Sequence, residues 1–172
     1  MANSGSKSVT RLRASDGANL GTFSVEFSPF GIAFDGANIW VVAAGHFSYV
    51  SKLQASDGSN LGNFPVNAAS GIAFDGANIW VTNTNSNTVT KLRASDGANL
   101  GSYAAGTSPV GIAFDGANIW VTNSGSKSVT RLRASDGVQL GTFSVGNYPT
   151  GIAFDGVNIW VTNTNSNTVN KL

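Results

Sequence analysis

The sequence contains no cysteine, so neither a disulfide nor a thiolate metal site is available to it. Charged residues make up 11% of the chain and the formal net charge is +1. That charged fraction is well below the usual ~25%, and no run of basic residues occurs. An electrostatic nucleic-acid footprint and an anionic-membrane surface are therefore excluded. No apolar run has the roughly 18 residues that a membrane-spanning helix needs, and we expect neither nucleic acid nor membrane as a partner.

Repetition is what the sequence has in excess. The block GIAFDGANIW occupies residues 31–40, 71–80 and 111–120, and it recurs with one substitution at 151–160. The spacing is 40 residues each time. A fixed period of this length indicates a repeat architecture.

Each repeat predicts four short strands, for which 111–114, 118–123, 128–133 and 140–145 are the clearest example. These segments are rich in the Val, Ile, Thr, Phe and Trp residues that suit a pleated surface. Asp-Gly pairs separate the first strand from the second and the third from the fourth, which is typical of hairpin turns. We expect Pro29, Pro109 and Pro149 to lie in the loop before the first strand. No stretch has helical periodicity.

The fold class that follows is all-β, a β-propeller of four-stranded antiparallel blades with about four blades per chain. We treat 1–172 as a single propeller or half-propeller, with complete blades at 31–66, 71–105 and 111–145. A composite blade would combine 151–172 with 2–25. One copy of the third strand, 7–13 or 168–172, is then surplus. We predict two chains joined head to tail into a closed ring of eight blades, each composite blade forming between chains.

A resemblance to a known family is carried by Trp120-Val121-Thr122-Asn123, the Ser-rich turn and Ser-Val-Thr strand that follow, and residues 145–151. These motifs resemble the bacterial YVTN β-propeller repeat, which is related to the NHL and virginiamycin B lyase-like propellers. The resemblance implies the propeller fold and admits binding modules, surface proteins and a few enzymes. We expect a segment, natural or engineered, of a longer array, because repeat sequence follows Met1-Ala2 directly. The resemblance leads us to expect a parent protein that is bacterial and secreted or surface-bound. Localisation is left open.

Two sets of residues recur with the block. The aromatic set is predicted to pack between blades, since a buried aromatic side chain removes roughly 150–250 Å² from water; it comprises Trp40, Trp80, Trp120, Trp160, Phe34, Phe74, Phe114 and Phe154. The second set is predicted to form hairpin turns in which each carboxylate caps backbone N–H groups; it comprises Asp35, Gly36, Asp75, Gly76, Asp115, Gly116, Asp155 and Gly156. Near-equivalent carboxylates do not offer the differing environments that an acid–base pair needs.

Other chemistry-bearing residues are few. The single histidine, His46, falls in the one turn that has drifted from the repeat and is interpreted as an exposed loop residue. Lysines and arginines on the third strand, such as Lys52, Lys91 and Arg131, are expected to point to solvent. Exposed aromatics in or near loops, Phe30, Tyr49 and Tyr148, are candidate ligand-binding residues.

The function predicted from these observations is a non-enzymatic scaffold or binding module that self-assembles. We expect no catalytic residues, cofactor or metal, and as partners a second copy of the chain and a protein or glycan ligand. The alternatives are a lectin-like propeller that binds carbohydrate and a propeller enzyme of the lyase or lactonase kind.

Overall fold

The computed structural model describes residues 1–44 and 49–172. His46 lies outside the described residues. Eighteen β-strands form five antiparallel sheets in the described residues. In chain order, the first sheet contains β1 (Ala2–Asn3), β2 (Ser8–Leu12) and β3 (Asn19–Ser24). The second contains β4 (Ser28–Phe34), β5 (Asn38–Ala44), β6 (Tyr49–Gln54) and β7 (Asn60–Pro65). The third contains β8 (Ala69–Phe74), β9 (Asn78–Asn83), β10 (Thr88–Arg93) and β11 (Asn99–Ala104).

The fourth sheet contains β12 (Pro109–Phe114), β13 (Asn118–Asn123), β14 (Ser128–Arg133) and β15 (Gln139–Ser144). The fifth contains β16 (Pro149–Phe154), β17 (Ile159–Asn163) and β18 (Thr168–Lys171). The all-β class with about four blades is confirmed. Among the described residues, none belongs to a helix that would be long and apolar enough to span a bilayer.

The sheets stand side by side with their first strands innermost. β4 contacts β8, β8 contacts β12, and β12 contacts β16. Each sheet is a meander in which sequential strands pair, so β9 lies between β8 and β10. Because the faces of neighbouring sheets oppose one another, the core lies between sheets. Trp40 of one sheet, for example, shares a cluster with Ile79 and Leu92 of the next.

The position of the prolines differs from the prediction. Pro109 and Pro149 are the first residues of β12 and β16, and Pro29 is the second residue of β4. The expectation that they lie outside the strands was wrong. The first residue of a strand is one of the few places where a missing N–H leaves the ladder intact, and the pairing of β12 with β13 shifts register directly after Pro109.

The two ends of the row of sheets are unlike. The first sheet, here called the amino-terminal sheet, has only a two-residue β1 where the others have a full second strand, and no inner strand precedes it among the described residues. The last sheet, the carboxy-terminal sheet, ends at β18 with no fourth strand. Residues 2–25 and 151–172 therefore belong to separate sheets within one chain.

Candidate assembly interface

The three interfaces between the second and fifth sheets are each built around one tryptophan, in an arrangement here called the Trp socket. Trp40 and Trp80 are fully buried. Lys91 Nζ lies 4.9 Å from the centre of the Trp80 ring, and the Tyr103 ring lies 5.4 Å from it. Ile119 and Leu132 of the following sheet complete the socket. Trp40 and Trp120 have a cation and an aromatic ring at equivalent positions, Lys52 and Phe64 for Trp40 and Arg131 and Phe143 for Trp120.

The Asp-Gly turn holds the tryptophan as well as the backbone. Asp75 Oδ1 accepts hydrogen bonds from Ala77 N at 2.9 Å and Asn78 N at 2.6 Å, and Gly76 has φ +99°, which only glycine adopts without strain. Asp75 Oδ2 accepts a third bond from Trp80 Nε1 at 2.7 Å. The sequence reasoning missed this third bond. Its signal is an aspartate five residues before every block tryptophan.

The hydrogen bonds set the protonation state of these carboxylates. Burial alone would raise the pKa of the Asp75 carboxyl, but the bonds from Trp80, Ala77 and Asn78 outweigh it and hold the pKa below its ordinary value of 3.8. The same balance lowers the pKa of Asp35 and Asp115. At Asp155 the bond from Trp160 is the largest cause, and it also lowers the pKa. The turns therefore carry ionised carboxylates at neutral pH.

Acid is expected to destabilise the protein through these four turns. Because their folded-state pKa values lie below the unfolded value of 3.8, their contribution to the free energy of unfolding is present above pH 3.8 and is lost as the pH falls further. Urea unfolding midpoints measured at neutral pH and below pH 3.8 should therefore diverge. In an Asp75→Asn variant, the neutral-pH midpoint should drop and the acid-induced change should shrink. Equal midpoints for the wild type at both pH values would contradict this reading.

The sequence had led us to expect the third-strand lysines to point to solvent. That expectation was wrong for Lys52 and Lys91, whereas Lys171 of β18 is exposed. Lys52 and Lys91 are 8% and 6% exposed. Lys91 Nζ donates to the backbone oxygens of Ala134 at 2.7 Å and Ser135 at 3.1 Å, both in the following sheet. The expectation failed because the ammonium lies over the tryptophan ring and donates to carbonyls of a neighbouring sheet. Lys52 and Lys91 therefore each link two neighbouring sheets through hydrogen bonds.

At the amino-terminal end the Trp socket is present without its tryptophan. A cavity of about 610 Å³ there is lined by residues that include Arg11, Phe23, Phe34, Ile39 and Leu53. Their counterparts one repeat along are Lys52, Phe64, Phe74, Ile79 and Leu92, which surround Trp40. Phe34 is 55% exposed, whereas its counterpart Phe74 packs against the core. The prediction that Phe34 lies in the inter-blade core was wrong, because the preceding sheet has no tryptophan to cover it.

At the carboxy-terminal end the opposite holds. Trp160 donates to Asp155 Oδ2 at 2.6 Å, as the other tryptophans do to their aspartates, yet it is 40% exposed. Lys171 Nζ lies 5.7 Å from its ring. Phe154 is 36% exposed, whereas its counterpart Phe114 packs against the core. Trp160 and Phe154 also depart from the expected burial, because no sheet follows β16–β18 and no fourth strand flanks them.

The inner strands line a second, more polar cavity of about 350 Å³, with Phe30, Ser70, Val110 and Thr150 on its wall. Phe30 is 62% exposed there, and Tyr148 nearby in sequence is 49% exposed. Tyr49 donates to Glu26 Oε2 at 2.8 Å, and burial together with that carboxylate raises its pKa. Within residues 1–44 and 49–172, no group of three or more His, Cys, Asp or Glu side chains is placed to hold a metal ion.

Comparison with known proteins defines the fold. No protein-family profile matches the chain, and no curated protein matches its sequence. Solved structures do. A functionally unknown protein from Desulfotomaculum acetoxidans DSM 771 superposes with a TM-score of 0.81 at 18% identity, over 99% of this chain and 64% of that one. A catalytically inactive virginiamycin B lyase from Staphylococcus aureus, solved with quinupristin, gives 0.78 at 19% identity, over 96% and 58%.

The computationally designed protein Ika8 gives a TM-score of 0.81 at 13% identity, over 99% of this chain and 53% of that one. The chain thus spans between 53% and 64% of the length of these three structures. Together with the repeated Trp socket, these likenesses define the class of protein as a propeller-like repeat protein of about four blades.

Proposed function

We propose that the chain is a non-enzymatic scaffold that assembles head to tail with a second copy into a closed propeller ring of eight blades. Trp160 of each copy fills the empty socket at the amino-terminal end of the other. The observation that carries the proposal is the match between the two ends. One presents a half-exposed tryptophan, and the other presents the residues that bury a tryptophan at the three interfaces between the second and fifth sheets.

The energetics of the junction favour association. If a tryptophan offers roughly 250 Å² of surface, covering the 40% of Trp160 that is exposed removes about 100 Å² from water. At ~25 cal/mol per Å² this stabilises each junction by ~2–3 kcal/mol. Covering Phe34, which is 55% exposed, adds a term of similar size. A two-chain ring contains two such junctions, and the second forms within an already associated pair.

Two copies are favoured over one by the curvature of the row of sheets. The chain superposes along 96% to 99% of its length on structures that are considerably longer than itself. A chain closing on its own would need the tighter curvature of a four-bladed ring. A head-to-tail interface yields a ring when its rotation closes and an open filament when it does not. A filament is therefore the main competing outcome.

The burial of Trp160 gives a direct spectroscopic test. Trp40, Trp80 and Trp120 are 0%, 0% and 8% exposed, so collisional quenching of tryptophan fluorescence by acrylamide reports chiefly on Trp160. The quenchable fraction should fall as protein concentration rises through the dissociation constant. A Trp160→Phe variant provides the emission of the other three. If the quenchable fraction of the tryptophan emission stayed the same at every protein concentration, the proposal would be contradicted.

A binding role for the scaffold would use the exposed aromatics at the inner strands. Trp40, Trp80 and Trp120 are buried and unavailable as sugar platforms, which leaves Phe30 and Tyr148 for a lectin-like function. A glycan array with the wild type and a Phe30→Ser variant tests this alternative. The enzyme alternative draws its support from the fold likeness to virginiamycin B lyase. Turnover of a streptogramin or a lactone by the purified chain would replace the scaffold proposal.

A further inference from the structure

We propose that the shared blade is built from β16 and β17 of one copy and from β2 and β3 of the other, and that β18 and β1 are the strands that give way. This inference rests on the proposed function, since it assigns the strands within the same junction. The third strand of the shared blade is available twice, as β2 and as β18, and only one of these two strands fits between β17 and β3. The contacts around Arg131, Phe143 and β18 decide between them.

The first contact is a cation on the third strand that reaches into the next sheet. Arg11 Nη1 donates to the backbone oxygens of Ala55 at 2.9 Å and Ser56 at 3.0 Å. Lys52 makes the same pair of bonds to Ala94 and Ser95. These acceptors lie in the turn that joins the third strand to the fourth. At the three junctions between the first and fourth sheets, a third-strand cation is therefore joined to the outer turn of the following sheet.

Arg131 occupies the same position without that turn. Its guanidinium lies 5.4 Å from the Trp120 ring, and its Nε is buried without a hydrogen-bond partner. The carbonyls equivalent to those that Arg11 Nη1 reaches are Ala14 and Ser15 of a second copy, which stand 120 residues before Ala134 and Ser135 in the repeat. Ala14 and Ser15 lie in the turn that follows β2. They arrive beside Arg131 only if β2 is the strand that enters the shared blade.

The second contact is between an aromatic ring and a glycine. A Cβ on Gly97 would collide with the Phe64 ring, and a Cβ on Gly137 would collide with the Tyr103 ring. In each case the ring is on the fourth strand and the glycine is in the outer turn of the following sheet. Gly17, the counterpart in the amino-terminal sheet, would meet nothing within 4 Å. Phe143 is the next ring of the series, so the turn after β2 fits against it.

The third observation concerns how firmly the two candidate strands are held. β2 pairs with β3 over five residues, and its Val9 is 6% exposed. β18 pairs with β17 over four residues, and its Val169 is 58% exposed. Lys171 of β18 lies 5.7 Å from its tryptophan ring, compared with 4.9 Å for Lys91. β18 therefore gives up fewer contacts on leaving than β2 does.

β1 yields at the same time because it stands where β17 of the second copy must lie. Asn3 Nδ2 donates to Ser8 Oγ at 3.2 Å and to Thr10 Oγ1 at 2.7 Å. Asn163 of β17 makes the corresponding bonds within its own sheet, to Thr168 and Asn170. The incoming Asn163 replaces Asn3 bond for bond. The exchange is a strand displacement: β17 of one copy replaces β1 of the other, and β2 of that other copy replaces β18 of the first.

Reversible disulfide locks test the strand assignment on the full chain, which has no cysteine of its own. Thr162 and Val169 are directly opposed in the β17–β18 pair, and a Thr162→Cys/Val169→Cys variant locks β18 in place. Thr10 and Thr22, whose hydroxyl oxygens lie 3.2 Å apart, are opposed in the β2–β3 pair. A Thr10→Cys/Thr22→Cys variant locks β2 to β3. Each variant is its own control, since reductant removes the lock.

The expected masses differ between the two locks. The oxidised β17–β18 lock should run as a 17.7 kDa chain and regain twice that mass on reduction, whereas the β2–β3 lock should dimerise in both states. A dimer that survives the β17–β18 lock and dissociates under the β2–β3 lock overturns the strand assignment alone. A wild-type chain that stays at 17.7 kDa overturns the proposed function, and the assignment with it.

Substitution of Arg131 provides a second measurement. Arg131→Met removes the donors for Ala14 and Ser15 of the second copy and is expected to weaken dimerisation by about tenfold or more, as for hydrogen bonds to a charged group. Arg131→Lys should retain most of the affinity, because lysine does this work at residues 52 and 91. Equal dissociation constants for Arg131→Met and the wild type would contradict the inference.

Discussion

Replacement of Trp160 by alanine is expected to leave the chain folded and to separate it into single copies. Truncating a central tryptophan of an interface typically costs ~2–4 kcal/mol. Because a two-chain ring uses Trp160 at both junctions, the loss counts twice, ~4–8 kcal/mol. Analytical ultracentrifugation at micromolar concentration should find the variant at 17.7 kDa and the wild type at twice that mass.

The matched control lies in the same sheet. Val157 is 84% exposed, and its counterparts at 37, 77 and 117 are alanine, so Val157→Ala restores the residue of the other repeats. This variant removes exposed apolar surface without emptying the socket, and it should assemble like the wild type. If Trp160→Ala assembled as tightly as Val157→Ala, the tryptophan would not be the anchor of the junction.

The second large effect is expected at Trp80, which has the same local sequence and a different position in the row. Trp80 is fully buried between two complete sheets, with its Nε1 bonded to Asp75 and Lys91 over its ring. Removing such a side chain typically costs ~3–5 kcal/mol through the lost burial and the remaining cavity. Trp80→Ala should therefore lower the free energy of unfolding by that amount, measured by urea titration on single chains.

The comparison between the two tryptophans separates stability from assembly. In a Trp160→Ala background, where the chains are single, adding Trp80→Ala should still cost ~3–5 kcal/mol of unfolding free energy. Relative to single wild-type chains, diluted below the dissociation constant, Trp160→Ala alone should change that free energy far less, since 40% of the Trp160 side chain is already exposed there. Equal losses of unfolding free energy at the two positions would contradict the distinction between interior and terminal sockets.

Much of the fold could be predicted from the sequence because the block at 31–40 repeats with fixed spacing. The four strands per repeat and the Asp-Gly turns follow from local preferences, and the glycines have the positive φ that those turns require. The pleat itself predicts which residues share a face. Strand count and sheet order therefore needed no knowledge of neighbouring sheets.

The candidate site was less predictable, because its properties depend on the neighbouring sheet. Lys91 was assigned to solvent from its place on an outer strand, and it is buried because Ala134 and Ser135 of the next sheet accept its hydrogen bonds. Local sequence does not distinguish Trp160 from Trp80, since both follow Asp-Gly with the same spacing. Only the structure places one at an end and the other in the interior.

The two faces that remain at the ends of the row are therefore the informative part of the molecule. The four repeated blocks have one local structure, but they give three tryptophans buried in sockets, one socket without a tryptophan, and one tryptophan, Trp160, without a socket. In the proposed assembly, Trp160 of one copy occupies the empty socket of the other. Closure of the ring by two copies distinguishes this assembly from a filament, which would use the same contacts with a different rotation.

The mass of the assembled particle tests that claim most directly. Light scattering coupled to size exclusion, checked by native mass spectrometry, is expected to give one species at twice 17.7 kDa over a wide range of concentration. Its mass should not increase as the concentration rises, because a closed ring has no free end. A particle of 17.7 kDa at every concentration, or a mass that grows continuously with concentration, would contradict the two-chain ring.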